Sequence, residues 1–209
     1  LYAVWGINTY TAKIKYVAYR GVKTGSNIPT ISVGGSGVTS VSNIAVGATA
    51  ELTATYGTNC MLLASTNGQT DSYNRFAINW SDAPGSIGTT NSKSWDAKSD
   101  IELSIYVYDA YTIQYTANGG STNPANSLIN TPQTRYYNGA ALTLYTMVQN
   151  GSEASTTISR TGYTFSGWNT AANGSGTDYA CGASYKENKG MMLYAKWVNN
   201  PYTITYKAN

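Results

Sequence analysis

The chain has no histidine, which removes the commonest general base, the usual serine and cysteine triads and the commonest metal ligand. Its ten acidic residues are scattered. Asp96 with Asp100, or Asp100 with Glu102, is a pairing that any acidic loop offers, and neither makes a glycosidase dyad. No Asp, Asn and Gly run has the spacing of a calcium loop, and the two cysteines, Cys60 and Cys181, have no companion zinc ligands. Two cysteines are also too few for a disulfide framework, so free thiols are the default reading and one long-range bridge is the alternative. No cofactor, no metal and no catalysis are expected. Charged residues make up only 11% of the sequence, and the thirteen Lys and Arg are dispersed for a net charge of +3, which is no nucleic-acid footprint. No apolar run reaches membrane-spanning length, so this segment is not expected to insert in a bilayer.

What the chain does have is Gly (21) and Tyr (19), with abundant Thr, Ser and Asn, a mixture suited to twisted strands and tight turns. It also repeats itself. LYAKW (Leu193 to Trp197), four joining residues and YTITYKAN (Tyr202 to Asn209) echo LYAVW (Leu1 to Trp5), four residues and YTAKIKY (Tyr10 to Tyr16), while YTIQYTANGG (Tyr111 to Gly120) lies between. Such self-similarity is the mark of a tandem array. It divides the chain into the tail of a preceding repeat (1–9), a β-rich module (10–109), a second module (111–197) and the opening strand of a following repeat (202–209). The ties Gly6 to Thr9, Tyr106 to Tyr111 and Val198 to Pro201 are short, which predicts modules strung end to end as a semi-rigid rod.

The opening segments alternate with period two: Tyr10, Ala12, Ile14, Tyr16 and Ala18; Tyr111, Ile113, Tyr115 and Ala117; Tyr202, Ile204, Tyr206 and Ala208. That is the pattern of strands with one face on a core. Further strands are predicted over Val46 to Gly57, Cys60 to Ser65, Arg75 to Trp80, Asp100 to Tyr108, Thr134 to Tyr137, Ala141 to Val148, Gly162 to Asn169 and Met191 to Trp197. Asn-Gly pairs at 118, 138, 150 and 173 read as turns. Ser32 to Ser40 and Ala83 to Ser92 read as loops, and Gly151 to Ile158 and Ser184 to Lys189 as the best sites for a short helical turn. Phe165 and Trp168 differ in parity, so both face the core only if the strand bulges, with Gly167 the place for it. The fold class is mainly β with little helix.

In the second module, GYTFSGWNT (Gly162 to Thr170), the NGSGT turn (Asn173 to Thr177) and the closing LYAKW, preceded by YTIQYTANGG, resemble the Listeria-Bacteroides repeat, the internalin B-repeat family of bacterial surface proteins. Residues 10–109 are similar only to divergent members, through VGATAELTATYG (Val46 to Gly57). The resemblance implies two small β-grasp-like modules in tandem on a cell-surface or secreted bacterial protein, acting as stalk or spacer and contributing to adhesion without catalysis. The insertion-like stretch Leu144 to Ser159 departs from the family pattern and is where a specific function could have been grafted.

Direct recognition of glycan or mucin, or assembly into an extracellular fibre or surface layer, are the alternatives. Expected partners are neighbouring repeats, host or environmental glycans, or other copies of the chain. Trp95, in a polar stretch, is the candidate exposed aromatic platform, with Tyr145 in the inserted stretch as a second candidate ligand contact. Trp5 and Trp197 align with inward-facing residues and read as core.

Overall fold

The computed structural model describes residues 6–23, 27–67, 74–80, 91–123, 129, 131–149 and 157–207. All seventeen elements among them are β-strands. The chain divides into two compact units, one of residues 1–110 with 136–139, the other of residues 111–135 with 140–209. The readings at Leu1 to Trp5, over most of Ala83 to Ser92 and over Asn150-Gly151 and most of Gly151 to Ile158 lie outside the described residues.

The first unit is built on β1 (Thr9–Arg20), which pairs antiparallel with β4 (Thr49–Thr55) and parallel with the first half of β8 (Ile101–Thr116), from Ala12 opposite Ile101 to Arg20 opposite Tyr108. Alternation sets the faces. Ala12, Ile14 and Tyr16 are buried with Ala50, Leu52 and Ala54, while Lys13, Lys15, Thr49, Glu51, Thr53 and Thr55 face out. Lys13 and Glu51 are cross-strand partners with Nζ and Oε1 3.9 Å apart, an exposed pair of little energetic weight. A second sheet runs in the order β3 (Val41–Ile44), β2 (Thr30–Ser36), β5 (Asn59–Asn67) and β7 (Ser92–Asp96). Ile31, Val33, Ile44, Cys60, Leu62, Ala64 and Trp95 on this sheet join the same core as Leu52, Ile105 and Val107 on the first.

The glycine-rich stretch from Ser32, read as a loop, is therefore mostly strand. Its glycines permit close approach of neighbouring backbone: a Cβ on Gly35 (φ +152°) would lie 1.8 Å from the Met61 carbonyl oxygen, and one on Gly34 would lie 2.7 Å from Ser40 Cβ. Composition alone cannot separate a flexible glycine from one that a tight sheet requires. Tyr106 to Tyr111, read as a tie between modules, is likewise strand throughout, inside β8.

In the second unit, the later half of β8 pairs parallel with β17 (Met191–Asn199), Ile113 opposite Met191 and Tyr115 opposite Leu193. Antiparallel β14 (Tyr163–Asn169) lies beyond β17, and β15 (Asp178–Tyr179) beyond β14; β10 (Gln133–Tyr136) pairs with β8. Two small sheets, β12 (Val148–Gln149) with β13 (Thr157–Ser159) and β9 (Ser121–Asn123), and β11 (Leu142–Thr143) with β16 (Ser184–Tyr185), complete the unit. The core contains Ile113, Tyr115, Leu144, Met147, Ile158, Trp168, Leu193 and Ala195. The register of β14 on β17 slips between Phe165 and Gly167, and Gly167 has φ +124°. That bulge turns Trp168 fully inward while Phe165 stays against the same core, ring centroids 5.3 Å apart, as the parity of the two residues requires.

Two expectations are corrected here. Ala141 to Val148 is not one strand: Leu142 and Thr143 pair with β16 and Val148 with β13, and between them the buried Leu144 and Met147 are three residues apart, a spacing that period-two backbone cannot put on one face. Ser184 to Lys189 holds a two-residue strand and no helix.

Two stability predictions follow from this packing. Tyr16 is fully buried, its hydroxyl bonds to no acceptor, and burial pushes its pKa upward; Tyr16→Phe should leave stability unchanged or raise it by about 1 kcal/mol in urea unfolding. Gly35→Ala should lower stability by about 2 kcal/mol or more in the same measurement, because β2 must move off β5.

Candidate functional site

The second unit contains a cavity of about 310 Å³ lined by Asn118, Arg160, Asn169, Ala171 to Gly174, Ala195, Lys196 and Trp197. Its walls come from the turn after β8, the link between β13 and β14, the loop between β14 and β15, and the end of β17. The first wall is an Asn-Gly turn with φ +47° at Asn118 and +82° at Gly119, closed by Gly120 N–H donating to the Ala117 carbonyl at 3.0 Å. Both φ values are left-handed, the conformation that Asn and Gly adopt most readily. Asn118 Nδ2 donates to the carbonyls of Ala172 (2.7 Å) and Ala195 (3.0 Å), tying this turn to the opposite loop and to β17. Gly120 must be small, since a Cβ there would meet the Trp197 ring at 2.3 Å. Trp197 in turn donates from Nε1 to the Ala117 carbonyl at 3.0 Å and sits edge-on to Phe165.

The loop from Thr170 to Thr177 is shaped by one buried side chain. Asn169 is 1% exposed. Its Oδ1 accepts from Ala171 N–H (2.8 Å) and Gly176 N–H (3.0 Å), and its Nδ2 donates to the carbonyls of Gly174 and Gly176 and to Asp178 Oδ1. A buried amide with donors and acceptors all occupied fixes a loop whose apolar content is two alanines, Ala171 and Ala172. Asp178 also takes an ion pair from Lys196 Nζ, and the hydrogen bonds from Lys196 and then Asn169 hold its carboxyl below the ordinary carboxylate range. Lysine, asparagine and carboxylate thus meet, as an isopeptide crosslink would require. With side chains 35% and 57% exposed, however, Lys196 and Asp178 lie in water as a surface ion pair, not in the dry interior that amide exchange between them needs.

Arg160 differs from Lys196. It is half-buried, with its guanidinium 3.9 Å from the centre of the Tyr163 ring and within 3.7 Å of where a Cβ on Gly119 would sit. Among the described residues it bonds to no carboxylate or carbonyl.

The two aromatics singled out from sequence lie elsewhere. Trp95 is 5% exposed on β7, packed in the core of the first unit, with Nε1 donating to the Ser99 carbonyl at 3.2 Å. Polar neighbours suggested a loop, but they are the outward-facing alternates of an edge strand; Trp95 is no exposed platform. Tyr145 is half-buried and occupied at both ends: its ring lies 4.8 Å from that of Tyr115, its hydroxyl donates to the Thr131 carbonyl, and its own carbonyl accepts from Trp168 Nε1. Sequence reasoning did not single out Arg160, Asn118 or Asn169. Asn169 was visible only as part of GYTFSGWNT, and Asn118 only as a turn residue. Cys60 and Cys181 are both free thiols. Among the described residues no three His, Cys, Asp or Glu cluster to hold a metal ion, and no helix is long and apolar enough to cross a membrane.

Residues 111–196 match the family model of the Listeria-Bacteroides repeat domain. A protein of Evansella cellulosilytica, provisionally named a Gly-rich membrane protein, is 39% identical over 54 residues, which cover 25% of this chain and 6% of that protein. The chain therefore matches only a small part of that relative's length. No solved structure matches the chain. The bulged β14, the Asn169-centred loop and the Trp197 strand are the parts of the fold that carry GYTFSGWNT, NGSGT and LYAKW, and the segment 111–196 that they close is a Listeria-Bacteroides repeat domain.

Proposed function

We propose that the chain is a non-catalytic repeat segment of a bacterial cell-surface or secreted protein, serving as a stalk or spacer and contributing to adhesion. One observation carries this reading: both units follow the same plan, an opening strand that carries Tyr-Thr near its start, Tyr10-Thr11 or Tyr111-Thr112, paired in parallel with the closing strand of its own unit. In the first, β1 lies on β8; in the second, the Tyr111 to Thr116 half of β8 lies on β17. In the second unit the sheet order β10, β8, β17, β14, β15, with first and last strands side by side, supports a β-grasp-like module. The row Tyr202, Ile204 and Tyr206, 80%, 73% and 88% exposed, supports reading 202–209 as the opening strand of a following repeat whose closing strand would cover that row. The family match over 111–196 and the membrane-protein name of the Evansella cellulosilytica relative support a place at the bacterial surface.

Direct glycan recognition is the second reading, favoured by the cavity beside Trp197 and Arg160. The two readings separate by experiment. Pulled from its two ends in a force spectrometer, the chain should unfold in two steps that each release roughly 30 nm; a single step would overturn the two-module spacer. Beads coated with the chain should be retained on immobilised mucin above the level of uncoated beads; equal retention would remove the contribution to adhesion.

A further inference from the structure

We propose that the cavity between the Asn118-Gly119 turn and the Ala171 to Gly174 loop is a subsite for an acidic sugar, a pyranose bearing a carboxylate or a sulfate ester. The inference rests on the glycan-recognition reading and deepens it by naming the charge and the residues. Most polar groups around the cavity are spent on structure. Lys196 is held by Asp178, and both N–H bonds of Asn118 and the whole amide of Asn169 are committed to backbone or to Asp178. Arg160 is the exception. Its guanidinium is stacked on Tyr163 on one side and bounded by the Asn118-Gly119 turn on the other, so its orientation is set before any ligand arrives, yet among the described residues its donors have no acceptor. A planar fork held in place with its donors unspent favours a carboxylate or a sulfate oxygen pair over a neutral hydroxyl.

The rest of the lining fits a ring that carries such a group. Half-buried Trp197 gives the cavity an aromatic wall on which the C–H face of a sugar can rest. Asn173 Oδ1 accepts from the Ser175 N–H and hydroxyl, which orients its amide at the mouth of the cavity beside the ring hydroxyls. A volume of about 310 Å³ holds one or two sugar rings. A free anion without a ring would use Arg160 and leave the Trp197 wall empty.

The test is a titration of the intact isotope-labelled chain, followed by NMR, with methyl β-glucuronide, a pyranose 6-sulfate, methyl β-glucoside and sodium sulfate as probes. The expected result is saturable shifts of the Arg160 and Trp197 side-chain N–H signals with one or both acidic sugars, weakened by added salt, with little response to the glucoside. The uronide and sulfate-ester arms distinguish the two acids. Arg160→Gln should weaken binding roughly tenfold or more and Arg160→Lys by less, with unchanged melting of both variants showing that the fold is kept. Inorganic sulfate binding as tightly as the sugar acids would overturn the saccharide assignment. An equal response to glucoside and glucuronide, unaffected by Arg160→Gln, would overturn the inference while leaving glycan recognition standing. No saturable shift with any sugar would overturn both.

Discussion

Everything in each unit depends on one contact between its ends, the parallel pairing of opening and closing strands. It joins parts of the chain most distant in sequence, so the loop entropy of the whole module is lost when it forms. It is held by rows that alternation makes wholly apolar on one side: Ala12, Ile14 and Tyr16 beside Ile105 and Val107 in the first unit, Ile113 and Tyr115 beside Leu193 and Ala195 in the second. Parallel strands buried at the centre of a sheet need cover on the inner face. The first unit obtains it from the β3, β2, β5, β7 sheet, the second from short strands and the links around Leu144, Met147 and Ile158.

In the second unit, aromatic geometry does what a helix does elsewhere. Tyr145, Tyr115, Trp168, Phe165 and Trp197 form a chain of ring contacts, 4.8 Å from Tyr115 to both Tyr145 and Trp168 and 5.6 Å from Phe165 to Trp197. Each adds to its area of burial an edge-on or tilted contact. The glycines make it feasible: Gly167 lets the strand bulge so that two rings of opposite parity share a core, and Gly120 leaves the space that the Trp197 indole occupies. Burial of Tyr115 and Tyr185 raises both phenol pKa values, that of Tyr185 to about 12, so these rings stay neutral near neutral pH.

The cavity is a by-product of the same construction. Asn169 and Asn118 shape its two loops because neither loop has a large apolar side chain with which to shape itself, and Trp197 faces it because the strand that closes the module ends there. Arg160 is the part that construction does not explain: stacking on Tyr163 accounts for its planar contact but leaves its guanidinium without a hydrogen-bond acceptor among the described residues.

Alternation and repetition were legible in the residues alone. Period-two rows such as Tyr10 to Ala18 and Ala50 to Ala54 identify strands and their inner faces because side-chain direction along a strand is a local property of the backbone, and the bulge at Gly167 follows from the same counting. Other outcomes needed the folded chain. Whether Gly34 and Gly35 are loop or strand depends on how closely Met61 and Ser40 approach. Whether Trp95 is platform or core depends on which sheet covers it, and whether Arg160 stands beside Trp197 depends on the Asn118 turn and the β13 to β14 link meeting. Sequence determines what each residue prefers over a few neighbours; contacts between residues far apart in the chain are set by which buried faces find each other, and only the tertiary structure decides those.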